Sequence, residues 1–150
     1  MSDSQNKNTQ CIHSGTKINE SYPGMNTPIY TSTSYSFVDE SDGIWYPRYF
    51  NTPGQQAVAK KLADLEHAEA GLIFSSGMAA ISTTILALAK QGDHVLMQNV
   101  VYGGTYQFAE EYLKGFGIEV EFFDVAELNS LESKIKDNTK LIYLETPSNP

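Results

Sequence analysis

Short apolar runs alternate with segments of helical spacing over residues 55–145, and this order restricts the fold more than any other feature of the chain. Val58, Leu62, Leu65 and Ala68 follow a helical period that stops at Gly71. The run L-I-F (72–74) reads as a short strand. Residues 78–90 read as a buried helix with Gly92 just past its end, and H-V-L-M-Q (94–98) as a strand. From Thr105 to about Lys114, Phe108, Ala109, Tyr112 and Leu113 share one helical face. I-E-V-E-F-F (118–123) predicts a strand, 127–136 a short amphipathic helix, and K-L-I-Y-L-E (140–145) a further strand. Parallel strands need crossovers, and helices supply them. The order therefore predicts an α/β fold around a mostly parallel sheet with right-handed connections. In an open sheet of this kind a ligand sits outside the carboxyl ends of the strands. Three loops qualify: Ser75–Ala79, Asn99–Thr105 and Glu145–Pro150.

Residues 1–54 differ from the rest. They are rich in Ser, Thr, Tyr, Pro and Gly, with no helical period, and T-P-I-Y-T-S-T-S-Y-S-F (27–37) lacks a polar face. That stretch reads as an extended arm. So many aromatics in irregular chain need a surface to lie on, and a second subunit would provide one. The expected organisation is an N-terminal arm over 1–54 and an α/β domain from 55. With 41% hydrophobic residues the 150-residue chain is globular in composition. No apolar run reaches the roughly 18 residues of a membrane span. The polar start M-S-D-S-Q-N-K-N-T-Q lacks the apolar core of a secretory signal, so a cytoplasmic setting is expected. Cys11 is the single cysteine, which leaves no disulfide framework and no metal set. A net charge of −8 argues against nucleic acid and anionic membrane as partners, because both require a basic patch. Of the ten Lys and Arg residues only Arg48 is an arginine.

Four segments carry chemistry. In F-S-S-G-M-A-A (74–80), Gly77 lets the backbone approach a ligand, and the free N–H groups of Gly77, Met78 and Ala79 would face an anion at a helix N-terminus. Ser75 or Ser76 adds a hydroxyl. The plainer reading of this loop is a serine N-cap before an ordinary helix. It is neither G-x-G-x-x-G nor a Walker lysine loop, so nucleotide readings have no motif behind them. In N-V-V-Y-G-G-T-Y (99–106), Tyr102 stands at a strand's end, either as a platform for a planar ring or as a surface tyrosine before a glycine turn. E-T-P-S-N-P (145–150) is a turn on any reading, with Glu145 and Asn149 as ligand groups or as solvated turn residues. In W-Y-P-R-Y-F-N (45–51), Tyr46 and Arg48 lie two apart and face the same way in extended chain. A guanidinium grips phosphate with a forked contact and a phenol adds a donor. The alternative is an exposed arginine among packing aromatics.

Order and spacing make these signals specific. I-H-S-G (12–15), T-P-I-Y-T-S-T-S-Y-S-F (27–37), Y-P-R (46–48), F-S-S-G-M-A-A (74–80), N-V-V-Y-G-G-T (99–105) and L-E-T-P-S-N-P (144–150) together resemble the cystathionine γ-synthase/γ-lyase, or Cys/Met metabolism, family of pyridoxal 5′-phosphate (PLP) enzymes along nearly the whole chain. The resemblance implies the fold type I of PLP-dependent transferases, with this chain as the first part of the large domain. It implies a phosphate cradle at Ser76, Gly77 and Met78. Tyr102 would be the catalytic tyrosine, stacking on the pyridine ring and taking part in proton transfer. Asn149 would lie near the ring's 3′-oxygen, with Glu145 close by. Tyr46 and Arg48 would cross to a neighbouring subunit and hold that subunit's PLP phosphate, which implies a homodimer or a homotetramer of two such dimers. The implied reaction is β/γ-elimination or γ-replacement on cystathionine or an acylated homoserine, the ring acting as electron sink while the Cα proton leaves. O-acetylhomoserine sulfhydrylase chemistry is the alternative within the family, and a catalytically incomplete PLP-binding fragment the alternative outside it. An aminotransferase or aldolase of the same fold type is disfavoured by Tyr46-x-Arg48 and Y-G-G-T.

Two departures stand out. The family usually has Asn-Pro-Thr after the arginine motif, where this chain reads Asn51-Thr52-Pro53-Gly54. Methionine γ-lyases typically carry a cysteine two residues after the stacking tyrosine, where this chain has Gly104. The family's cofactor-carrying lysine and the aspartate paired with the pyridine nitrogen come after position 150, so the 150-residue piece is expected to be inactive alone.

Overall fold

The computed structural model describes residues 6–16, 23–35 and 45–148. Asn149 therefore lies outside the described residues, as do the last two residues of the 27–37 segment. The chain forms two compact units, Met1–Ile73 and Phe74–Pro150.

In the first unit, helix α1 (Lys7–His13) starts from Asn6, whose side chain accepts the Asn8 N–H at 2.9 Å. No helix was expected there. Seven residues are too few to hold a helix in water without tertiary support, and α2 (Pro53–Leu65) provides it. Lys61 Nζ donates to the Ile12 carbonyl at 3.2 Å, and the Ser14 hydroxyl donates to Asp64. Gly15, at φ +70°, then brings its backbone against the Ala57 carbonyl so closely that any Cβ would collide with it. A one-turn 3₁₀ segment, Pro47–Tyr49, leads into α2. Gln55 fastens the junction: its Oε1 receives the Thr52 N–H at 3.3 Å and hydroxyl at 2.8 Å, and its amide donates to the Pro47 carbonyl at 2.9 Å. The buried face of α2 is Ala57, Ala59 and Ala63, whereas Val58 is 50% exposed and Leu62 is also exposed. The expected face was the larger one. The close approaches decide otherwise, because Gly15 and Gly71 meet the α2 backbone at Ala57 and Ala59, where only small side chains leave room. Residues 27–31 form no helix or strand.

Residues 72–74 form no strand, and Leu72 is exposed. A strand is made by a ladder partner, and three apolar residues carry no information about one.

The second unit is built on a three-stranded parallel sheet in the order β2-β1-β3, with β1 His94–Gln98, β2 Glu119–Phe123 and β3 Thr139–Tyr143. β1 is buried at all five positions, which is why its sequence is a continuous run rather than an alternation. Val95 pairs with Val120 on one side and Leu141 on the other. Helix α3 (Gly77–Leu88) and the π-helical stretch Phe108–Leu113, which continues α4 (Gly103–Gln107), pack on the sheet. Ile85, Ala89, Val95, Met97, Val101, Ala109, Leu113 and Ile118 form the core. α3 was expected to be buried throughout, but Leu86 and Leu88 are exposed, because the described residues of the unit cover one side of it. The 127–136 segment is a 3₁₀ helix, Val125–Lys134, capped by Asp124 through the Ala126 N–H at 2.8 Å. No described helix is long and apolar enough to cross a membrane.

Candidate functional site

The carboxyl ends of β1 and β3 lead into the loops that carry Tyr102 and Glu145, and the two loops are bonded together. Glu145 Oε2 accepts the Tyr102 backbone N–H at 2.7 Å. Its Oε1 accepts the Thr105 hydroxyl at 2.9 Å and the Tyr143 hydroxyl at 2.8 Å. Partial burial acts to raise the Glu145 pKa, but these three donors outweigh it and hold the carboxyl below its usual value. Tyr143, paired with that carboxylate and partly buried, is pushed up to about 12, chiefly by desolvation and then by Glu145.

Beside this pair opens the N-terminus of α3. Ser76 is the N-cap, its Oγ accepting the Ala79 N–H at 3.1 Å. This assigns the capping role to Ser76 rather than Ser75, and it removes Ala79 from the set of free donors expected from the sequence. The N–H groups of Gly77 and Met78 have no bond among the described residues, and a Cβ built on Gly77 would meet open space. The Ser76 hydroxyl keeps its proton to donate. A helix start with two free N–H groups and a hydroxyl suits an anion.

Gly104 joins the two parts. A Cβ at Gly104 would lie 2.6 Å from Tyr102 Cε1 and 3.4 Å from Met78 Sδ, so the tyrosine ring and the first turn of α3 meet over that glycine. Thr105 Oγ1 also lies 3.8 Å from Met78 Sδ. Tyr102 remains 48% exposed, and an exposed aromatic side chain suits a flat partner.

Within the first unit, Tyr46 and Arg48 come together. Arg48 Nη1 donates to the Tyr46 hydroxyl at 3.2 Å, and the guanidinium sits 5.4 Å from the ring centroid. They meet through the 3₁₀ turn at Pro47–Tyr49 and not through extended chain as expected. Arg48 is exposed.

A family model for Cys/Met metabolism PLP-dependent enzymes matches residues 8–150. The chain belongs to that family. It is 43% identical over 143 residues to the cystathionine β-lyase of Bacillus subtilis, covering 95% of this chain and 36% of the relative. It is 41% identical over 149 residues to that organism's cystathionine γ-synthase/O-acetylhomoserine (thiol)-lyase, covering 98% and 39%. Its structure matches that of a cystathionine γ-lyase from Lactobacillus plantarum complexed with L-serine, with a TM-score of 0.89 at 36% identity, over 97% of this chain and 38% of that one. A putative O-acetylhomoserine (thiol)-lyase from Campylobacter jejuni, which carries N′-pyridoxyl-lysine-5′-monophosphate, matches with a TM-score of 0.88 at 34% identity, over 98% and 38%. The chain thus spans 36–39% of the length of the curated relatives named here. The α/β fold of PLP-dependent enzymes expected from the sequence is borne out by these matches and by the parallel sheet.

The family's cofactor is PLP, and the residues present suit it. A helix start with two free N–H groups, the half-exposed Tyr102 and open space at Gly77 lie around Gly104. Thr105 and Tyr143, which complete the Glu145 cluster, were not singled out from the sequence. The signal available for Tyr143 was its spacing of two from Glu145 along a strand, which puts both on one side. For Thr105 no local signal existed.

Proposed function

We propose that this chain is the cofactor-binding front part of a PLP-dependent trans-sulfuration enzyme, acting by β/γ-elimination or γ-replacement on cystathionine or an acylated homoserine. The observation that carries the reading is the union of Tyr102 and Glu145 at the strand ends, next to the open N-terminus of α3. Ser76, Gly77 and Met78 hold the phosphate. Tyr102 lays its ring against the pyridine, and its hydroxyl is placed to hold or move a proton. Asn149 reaches the 3′-oxygen. Bound PLP supplies the electron sink for the pair left when the substrate's Cα proton departs. Tyr46 and Arg48, already paired with each other, serve the phosphate of a neighbouring subunit, so the active unit is a homodimer or homotetramer with residues 1–54 as the exchanged arm. The enzyme works in the cytoplasm. O-acetylhomoserine sulfhydrylase activity is the second reading, supported by the 41% identity to a relative whose name joins both activities.

The test uses the full-length protein. Arg48→Ala and Ser76→Ala are expected to weaken PLP retention, measured by dialysis and absorbance. Unchanged PLP affinity in both refutes the phosphate roles. Assays with cystathionine, and with acylated homoserine plus sulfide, decide between the two activities.

A further inference from the structure

Glu145 accepts three hydrogen bonds and has no cationic partner among the described residues. Its three donors come from three places: the Tyr102 backbone, the Thr105 side chain in α4, and Tyr143 at the end of β3. Thr105 is fully buried. Both carboxylate oxygens are therefore engaged by the protein itself. What the carboxylate holds is informative. Tyr102 is the N-cap residue of α4, so its N–H stands outside the helix and has no helical acceptor. The loop from β1 is pinned at its start by the Asn99 N–H to the Phe123 carbonyl at 2.8 Å and by Asn99 Nδ2 to Asp124 at 3.0 Å. Its far end is pinned by Glu145. With the backbone held there, the ring lies against Gly104.

We propose that Glu145 is a positioning residue that acts on the cofactor through Tyr102, fixing the tyrosine's backbone and so the pitch of its ring, and that it does not itself touch the cofactor. The proposal rests on the reading that Tyr102 stacks on PLP. It gives Thr105 and Tyr143 a purpose: they hold the carboxylate in the one orientation from which Oε2 meets the Tyr102 N–H.

The experiment takes the full-length protein as wild type, Glu145→Gln, Tyr102→Ala and the double variant. Hydrogen exchange of the segment containing the Tyr102 amide is measured without cofactor, and visible circular dichroism per bound PLP with it. Glu145→Gln is expected to speed exchange at Tyr102 by roughly tenfold or more, because the glutamine keeps one acceptor oxygen for three donors and sets an NH2 group where the second oxygen stood. It is expected to reduce the dichroism per bound PLP by roughly twofold in the wild-type background and to add nothing in the Tyr102→Ala background, the signature of action through one shared residue. Equal loss in both backgrounds overturns the proposal, since Glu145 would then act on the cofactor directly. So does an unchanged signal in Glu145→Gln when Tyr102→Ala alters it. If Tyr102→Ala itself changes nothing, the stacking reading fails and takes this proposal with it. Should Glu145→Gln not fold, Thr105→Val and Tyr143→Phe each remove one donor and must move both readouts in the same direction, by less.

Discussion

Alanine in place of Gly104 separates what holds the fold from what orients the site. Its Cβ would lie 2.6 Å from Tyr102 Cε1, 3.2 Å from Cδ1 and 3.4 Å from Met78 Sδ. Carbon–carbon contacts relax at about 3.5–4.0 Å, so the ring must retreat by roughly 1 Å. The ring is half exposed and can swing. A side chain forced about 30° off its rotamer costs about 0.5–1.5 kcal/mol. Against this, alanine within a helix gains about 0.5–1 kcal/mol over glycine, and Gly104 is not at positive φ, so alanine can take up its backbone. The two effects nearly cancel. The melting temperature of the full-length protein should move by only a few degrees. The visible circular dichroism of bound PLP should fall, and PLP should dissociate faster. Gly103→Ala is the control, since a Cβ there meets nothing within 4 Å and should leave both readouts alone. A stability loss above about 2 kcal/mol would show that backbone rather than ring gives way. Unchanged dichroism with full PLP content would show that Gly104 does not set the ring, and either result refutes the reasoning.

Gly15→Ala should destabilise the full-length protein by at least about 1–2 kcal/mol in urea unfolding, since φ of +70° disfavours any side chain and the Cβ strikes the Ala57 carbonyl. Gln55→Ala removes the group that fastens the start of α2 to both Thr52 and Pro47 and should cost about 1 kcal/mol by the same measurement. Glu145 has a lowered folded-state pKa, so its contribution to stability is present above the ordinary carboxylate value and is lost as pH falls through the lowered one. Acid titration followed by circular dichroism should therefore show a shallower transition in Glu145→Gln. Tyr143 works in the opposite sense: its contribution is present below the ordinary value of 10.0 and is lost as pH rises through about 12, so Tyr143→Phe should blunt alkaline unfolding.

What was legible beforehand follows a physical division. β1 was readable to the residue because it is buried on both faces, so its own composition states its place. The L-I-F run looked equally apolar, yet forms no strand, because pairing depends on a partner that three residues do not describe. On α2 the larger side chains pointed to the wrong face; Gly15 and Gly71, outside the helix, select Ala57 and Ala59 by coming close. The site divides the same way. Ser76, Gly77 and Tyr102 announce themselves by type, since a serine before an apolar helix and a tyrosine before two glycines carry their chemistry locally. Glu145 does not. A carboxylate after a strand reads as a ligand in any sequence, and only the convergence of a backbone amide 43 residues away with two hydroxyls shows it bound to the protein itself. Residue types suited to a ligand are thus easier to recognise in a sequence than residues whose partners lie within the protein, because the first carry their chemistry locally and the second depend on groups that only the fold brings together.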